Sequence, residues 1–217
     1  MADLIADPFR SARLVLLLRQ EGVTDDGVLR AMETIDRTAF IDDDKLTPLA
    51  FEDCVLPIPC GQIIPRPAVT GQLLQALQLK RGRESRVLLV GAGSGYTAAL
   101  AAQLASDVFA VERYQTLTDA FRQRIVALGL SNLAVRWEDG LLGWPERGPY
   151  DRILLTGAVE DVPDILLDQL GKGGLLVAPV ISGAGQSLLR LHEEGRRENL
   201  PLSHPLPRLA EGRSQAL

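Results

Sequence analysis

The sequence predicts an α/β fold built on a doubly wound, mostly parallel sheet, and three observations carry that expectation. From Arg86 onward, short segments rich in Val, Leu and Ile alternate with stretches of helical periodicity. The first segment, RVLLV at 86–90, runs directly into a glycine turn, GAGSG at 91–95, and then into an alanine-rich stretch. Segments such as RVLLV and RILLT lack polar alternation, which fits strands covered by helices on both faces.

Ahead of that unit, apolar positions at helical spacing predict helices over 11–21 (Leu14, Leu17, Leu18) and 25–36 (Val28, Leu29, Met32, Ile35), with Gly22 as the stop between them. They read as a helical extension leaning on a larger body. From Pro48 to Pro67 the prolines of PLAFEDCVLPIPCGQIIPRP forbid a long helix and predict an extended, structured loop. Pro67 then suits a first helical turn, with Val69, Leu73, Leu74 and Leu77 as its buried stripe. Strands are expected at 86–90, 108–112, 134–137, 151–156 and 175–180, and helices at 97–106, 116–128 and 162–170. The stretch QSLLRLHEE is expected to return antiparallel as an edge strand.

Composition narrows the function. The formal charge is -5 with no basic cluster, which argues against a nucleic-acid footprint, and the acid run Asp42–Asp44 reads as a solvated loop. The apolar run LVLLL at 14–18 is too short to span a bilayer and follows no basic leader, so the expectation is a cytoplasmic protein with no membrane partner. Cys54 and Cys60 lie far along the chain from His192 and His204, so no metal-ligand set is expected and both thiols read as reduced and packed.

In a doubly wound fold the first strand-to-helix turn faces the ligand crevice, and glycine serves there wherever a ligand must approach the backbone closely. Gly91, Gly93 and Gly95 make this turn. A dinucleotide fingerprint places a third glycine where this chain has Tyr96. A phosphate-binding loop requires a lysine that Tyr96-Thr97 does not supply. A hydrolase elbow requires glycines where Ser94 is flanked by Ala92 and Tyr96. What remains is a nucleoside ligand without a pyrophosphate. Glu112, closing VFAVE about 20 residues after the turn, reads as an acceptor for both ribose hydroxyls, the other reading being a loop cap. Asp139, ahead of Gly140, reads either as an acceptor for an adenine amino group or as an Asp-Gly turn.

With these residues in place, the chain resembles the class I S-adenosylmethionine-dependent methyltransferases and, among them, the protein-L-isoaspartate O-methyltransferases. The resemblance rests on DRTAFI (36–41), FEDCVLPI (51–58) followed by Gly61-Gln62, RVLLVGAGSGY (86–96), VERY (111–114), DGLLGWPERGPYDRILLTGA (139–158) and QLGKGGLLVAPV (169–180). It implies a Rossmann-like methyltransferase fold in one domain, with N-terminal helices and a substrate-side loop over 1–80, a cofactor-binding core over 81–195 and a C-terminal arm over 196–217. It implies S-adenosyl-L-methionine as cofactor, held by Gly91, Ala92, Gly93, Ser94, Gly95, Glu112, Asp139 and Gly140. The acceptor is then the free carboxylate of isoaspartyl residues in damaged proteins or peptides. The 61–67 loop faces it, with Gln62, Pro65 and Arg66 as the catalytic candidates, and Gly157-Ala158 leaves it room. A carboxylate is ionised at neutral pH, so no general base is required.

The chain departs from that pattern at several places. Ile63 and Pro65 stand where the family typically carries hydroxyls, and Leu89 stands where it usually carries an acid. The tail LPLSHPLPRLAEGRSQAL (200–217) only loosely follows the arm that covers the substrate in relatives. Arg66 reads either as a solvated arginine or as the cation that takes over carboxylate recognition. The rival functions are a methyltransferase of the same fold with another acceptor, a non-catalytic adenosyl-ligand binder and, last, a nicotinamide dehydrogenase.

Overall fold

The computed structural model describes residues 9–79, 84–183 and 185–214. It opens with helices α1 (Arg10–Gln20) and α2 (Asp26–Thr34), close to the expected spans. Asp25 starts α2 as its N-cap, its carboxylate taking the Val28 N–H at 3.0 Å. The proline-rich stretch, expected as an extended loop, closes into an antiparallel hairpin of β1 (Leu56–Ile58) and β2 (Gln62–Ile64). Helix α3 (Pro67–Ala76) follows, with Pro67 at its first turn.

The main sheet has seven strands: β3 (Arg86–Val90), β4 (Asp107–Glu112), β5 (Leu133–Trp137), β6 (Tyr150–Leu155), β7 (Leu170–Ser182), β8 (Gly185–His192) and β9 (Arg197–Leu200). Their order is β5-β4-β3-β6-β7-β8-β9. Pairing is parallel from β5 to β7 and antiparallel for β8 and β9. Helices α4 (Tyr96–Ala102), α5 (Gln115–Ala127) and α6 (Asp164–Leu167) complete the crossovers. Alternate residues of β3 serve opposite layers: Val87 and Leu89 join the core with Leu100 and Phe121, while Leu88 and Val90 join Ile153, Leu155 and Leu176.

Three expectations need correction. The helix over 162–170 is a single turn at Asp164–Leu167, because Leu170 already pairs with Tyr150 as the start of β7. That strand begins at Leu170, well before the expected 175. QSLLRLHEE is antiparallel but does not form the edge, since RENL at 197–200 pairs beyond it as β9.

After β9 the chain turns back over the carboxyl ends of the parallel strands. The N–H of Ala158 donates to Pro207 O (2.8 Å), Leu209 N–H to Ala158 O (2.9 Å) and Ser214 N–H to Arg113 O (2.7 Å). Residues 206–214 thus form a strap across the crevice where the strand order reverses, between β3, β4 and β6.

Candidate functional site

A cleft of about 900 Å³, counted out to bulk solvent, opens at that crevice. Its floor is the glycine turn, one wall is the hairpin at 62–65, and the opposite wall is the strap at 206–210. The turn is built for glycine. Gly95 starts α4 at φ +92°, and a Cβ there would lie 2.0 Å from Cδ2 of Phe121. At Gly91 a Cβ would lie 2.7 Å from the Thr156 hydroxyl oxygen and 3.1 Å from Leu209.

Glu112 sits at the end of β4 with both carboxylate oxygens fixed. One accepts the Gly93 N–H at 2.7 Å and the other the Tyr114 N–H at 2.9 Å. Burial pushes its proton affinity up, and the backbone N–H groups of Tyr114, Gly93 and Arg113 oppose that shift. A carboxylate has about four lone-pair sites, so Glu112, which lines the cleft, retains acceptor capacity beyond these amides. The Tyr96 phenol is pushed up to about 12 by burial and stays neutral at the cleft wall. Burial first, and the Glu112 charge second, raise the Cys60 thiol, which therefore stays protonated at neutral pH.

The candidates for cofactor contact divide into two groups. Gly91, Ala92, Gly93, Ser94, Glu112 and Gly140 line the cleft. Gly95 lies outside it, packed on Phe121 as the helix start. Asp139 is also outside the lining, and each of its oxygens accepts one backbone amide: Oδ1 takes the Leu141 N–H at 2.9 Å and Oδ2 the Gly212 N–H at 2.7 Å. Asp139 thereby caps the short helix at Gly140–Leu142.

On the acceptor side, Gln62 and Pro65 line the cleft and Arg66 does not. The Arg66 guanidinium lies 3.3 Å from Asp53 Oδ2, while Asp53 Oδ1 takes the Ala68 N–H at 2.8 Å. The cation that opposes the start of α3 is thus neutralised locally. Gly157 lines the cleft, but the room expected beside it is filled, because a Cβ there would meet Pro207 O at 2.8 Å and Leu209 at 2.9 Å. Trp137, which the sequence leaves between a flank for the nucleoside and a core position, is not among the lining residues and donates to Arg113 O at 2.8 Å.

Residues absent from the sequence reading complete the site. Thr156, closing β6, reaches the carbonyls of Val90 and Gly91 and so ties β6 to the turn. Its only local signal is a hydroxyl between an apolar run and Gly157. Arg113 and Arg208 are the cations of the lining. Arg113 holds the strap through Gly212 O (2.9 Å) and Glu211 O (3.1 Å). Arg208 makes an exposed pair with Glu160 at 2.9 Å. Neither role is visible in local pattern, because the strap that creates both is placed by tertiary contacts. Among the described residues no cluster of His, Cys, Asp and Glu is arranged to hold a metal, and no helix is long and apolar enough to cross a membrane.

Known proteins resemble this chain in sequence and in fold. A family profile described as protein-L-isoaspartate(D-aspartate) O-methyltransferase matches residues 10–200. A protein-L-isoaspartate O-methyltransferase of Caulobacter sp. (strain K31) is 43% identical over 183 residues, spanning 84% of this chain and 83% of the relative. One from Maricaulis maris (strain MCS10) is 42% identical over 191 residues, spanning 88% of each. A solved Plasmodium falciparum structure described under the same name, in complex with S-adenosyl-L-homocysteine, superposes with a TM-score of 0.77 at 24% identity. It covers 91% of this chain and 97% of its own, which supports the fold. This chain belongs to the protein-L-isoaspartate(D-aspartate) O-methyltransferase family.

Proposed function

We propose that this chain transfers the methyl group of S-adenosyl-L-methionine to the free carboxylate of isoaspartyl residues in damaged proteins and peptides. The observation that carries the reading is the buried Glu112 carboxylate, fastened by the amides of Gly93 and Tyr114 at the rim of a glycine-floored cleft. That arrangement fits an adenosine-bearing ligand. Glu112 would take the ribose hydroxyls, Tyr114 and Leu141 would flank the base, and Gly91–Ser94 would admit the rest against bare backbone.

When bound, S-adenosyl-L-methionine supplies an electrophilic methyl group on a sulfonium centre. The chain's own part is positional. An acceptor carboxylate arrives ionised, so the absence of a histidine among the described residues of the cleft lining removes nothing the reaction needs. Gln62 and Pro65 on one side and the strap on the other would orient the acceptor and exclude water, effects that together supply several kcal/mol. Arg208 would face the acceptor's charge in place of Arg66. Its exposed pair with Glu160 is a weak competitor, because solvent screening holds such pairs to about 0–1 kcal/mol. The reading keeps a cytoplasmic enzyme acting on protein substrates rather than on nucleic acid or membranes, in line with the charge of -5.

One observation favours a second reading, a drifted acceptor: the cleft wall at Ile63 and Pro65 offers no hydroxyl. Thermal shift is the first test. S-adenosylhomocysteine at about 100 times its Kd should stabilise the protein by about 2.7 kcal/mol, and NAD should not. Stabilisation by NAD alone would remove both methyltransferase readings.

A further inference from the structure

Arg37, from the DRTAFI stretch, is a buried cation that the site described above does not use. Only 2% of it is exposed, and it opens the short helix at Arg37–Phe40. Its guanidinium makes no ion pair among the described residues and faces four backbone carbonyls instead. Nη1 donates to Ala50 O (3.3 Å) and Glu52 O (3.2 Å), and Nη2 to Cys54 O (2.9 Å) and Pro65 O (3.0 Å). Burying a cation without an ion pair is costly, and its retention here is matched by four carbonyls that an apolar side chain would leave without a donor.

The partners explain the choice. Cys54 immediately precedes Val55 and β1, and Pro65 immediately follows β2. One nitrogen of Arg37 therefore joins the two ends of the hairpin whose residues 62–65 wall the cleft. Pro65 has no N–H, so its carbonyl is the only backbone handle there. A planar fork reaches several carbonyls at once, whereas an ammonium on a flexible stem does not hold the same set. The guanidinium carbon also lies 5.8 Å from the ring centre of Tyr96, which lines the same cleft. Asp53 secures the hairpin exit through Ala68 and Arg66, and no second group does what Arg37 does at Pro65 among the described residues.

We propose that Arg37 is a positioning residue for the acceptor, stapling the base of the β1–β2 hairpin so that Gln62, Ile63 and Pro65 stand at a fixed height above the glycine turn. The acceptor part of this inference rests on the function proposed above. The test uses Arg37→Lys, which keeps the charge and loses the fork, and Arg37→Gln, which loses both. Three quantities are read: amide hydrogen exchange over 61–66 and 91–95, Kd for S-adenosylhomocysteine, and KM and kcat with an isoaspartyl peptide. Arg37→Lys should speed exchange over 61–66 by about tenfold and leave 91–95 unchanged. It should raise the peptide KM by about tenfold while holding the S-adenosylhomocysteine Kd within about twofold, with Arg37→Gln further in the same direction. Equal effects on both segments and both ligands, or a fall in Tm with neither segment changed, would overturn the proposal. If the wild-type protein methylates no isoaspartyl peptide, the function reading falls, and the exchange pattern still decides the staple. If Arg37→Gln does not fold, Arg37→Lys alone carries the comparison.

Discussion

The carboxylate of Glu112 accepts the amide N–H of Gly93 at 2.7 Å, so the tip of β4 is fastened to the turn that follows β3. The glycine turn and the acid are therefore one preformed unit before any ligand arrives. Rigidity of this kind lowers the ordering cost of binding.

Glu112→Gln should weaken S-adenosylhomocysteine binding by about 10- to 100-fold, or about 1.4–2.8 kcal/mol, measured by calorimetry. The pH dependence follows from the raised proton affinity of Glu112. Binding needs the ionised form, so the Kd should rise by about tenfold per pH unit once the pH falls below the shifted value, which lies above the ordinary 4.5. The ligand-free fold responds with the opposite sign. A raised carboxyl contributes stability that is full below its unfolded value and is lost as the pH rises through its folded one. Glu112→Gln should flatten both curves over that window.

Gly95→Ala should destabilise the fold by about 3 kcal/mol or more, read by denaturant unfolding, through overpacking and left-handed backbone strain together. Combining it with Phe121→Ala removes the 2.0 Å clash and keeps the strain at φ +92°. The Gly95 substitution should then cost about 1–2 kcal/mol in that background. Full additivity of the two changes would mean that Phe121 is not what excludes a side chain at 95.

Arg66→Ala should leave the acceptor KM within about twofold, because Arg66 faces Asp53 and not the cleft. Arg208→Ala should raise that KM by about tenfold, with cofactor affinity kept. Steady-state kinetics with an isoaspartyl peptide decide between them, and a large effect at Arg66 alone would restore the assignment that the sequence suggests.

Asp139→Ala leaves the amides of Leu141 and Gly212 without their acceptor, which should cost about 0.5–1.5 kcal/mol because water replaces the exposed partner. It should also free the strap. Trypsin cleavage after Arg213 should speed up in the variant, and unchanged cleavage would mean that Arg113 and Ser214 hold the strap without Asp139.

The core was legible because its information is local. RVLLV and RILLT announce buried strands, and three glycines announce the turn, so β3 to β6 fall within a residue or so of expectation. Glu112 was legible for the same reason, as an acid at a strand end. What could not be read depends on contacts distant in sequence. Arg66 looked available until Asp53 was placed beside it. The hold of Asp139 on the strap depends on Gly212, 73 residues later, whose amide donates to its second oxygen. The role of Arg37 required four carbonyls that only the folded hairpin brings together.

The most direct measurement supplies the protein with S-adenosyl-L-methionine and compares methyl ester formation, read as methanol release, on an isoaspartyl peptide and on its normal aspartyl twin. Turnover confined to the isoaspartyl peptide, and abolished or strongly reduced in Glu112→Gln, is the expected result. Tight binding of S-adenosylhomocysteine with no methyl transfer to either peptide would contradict it.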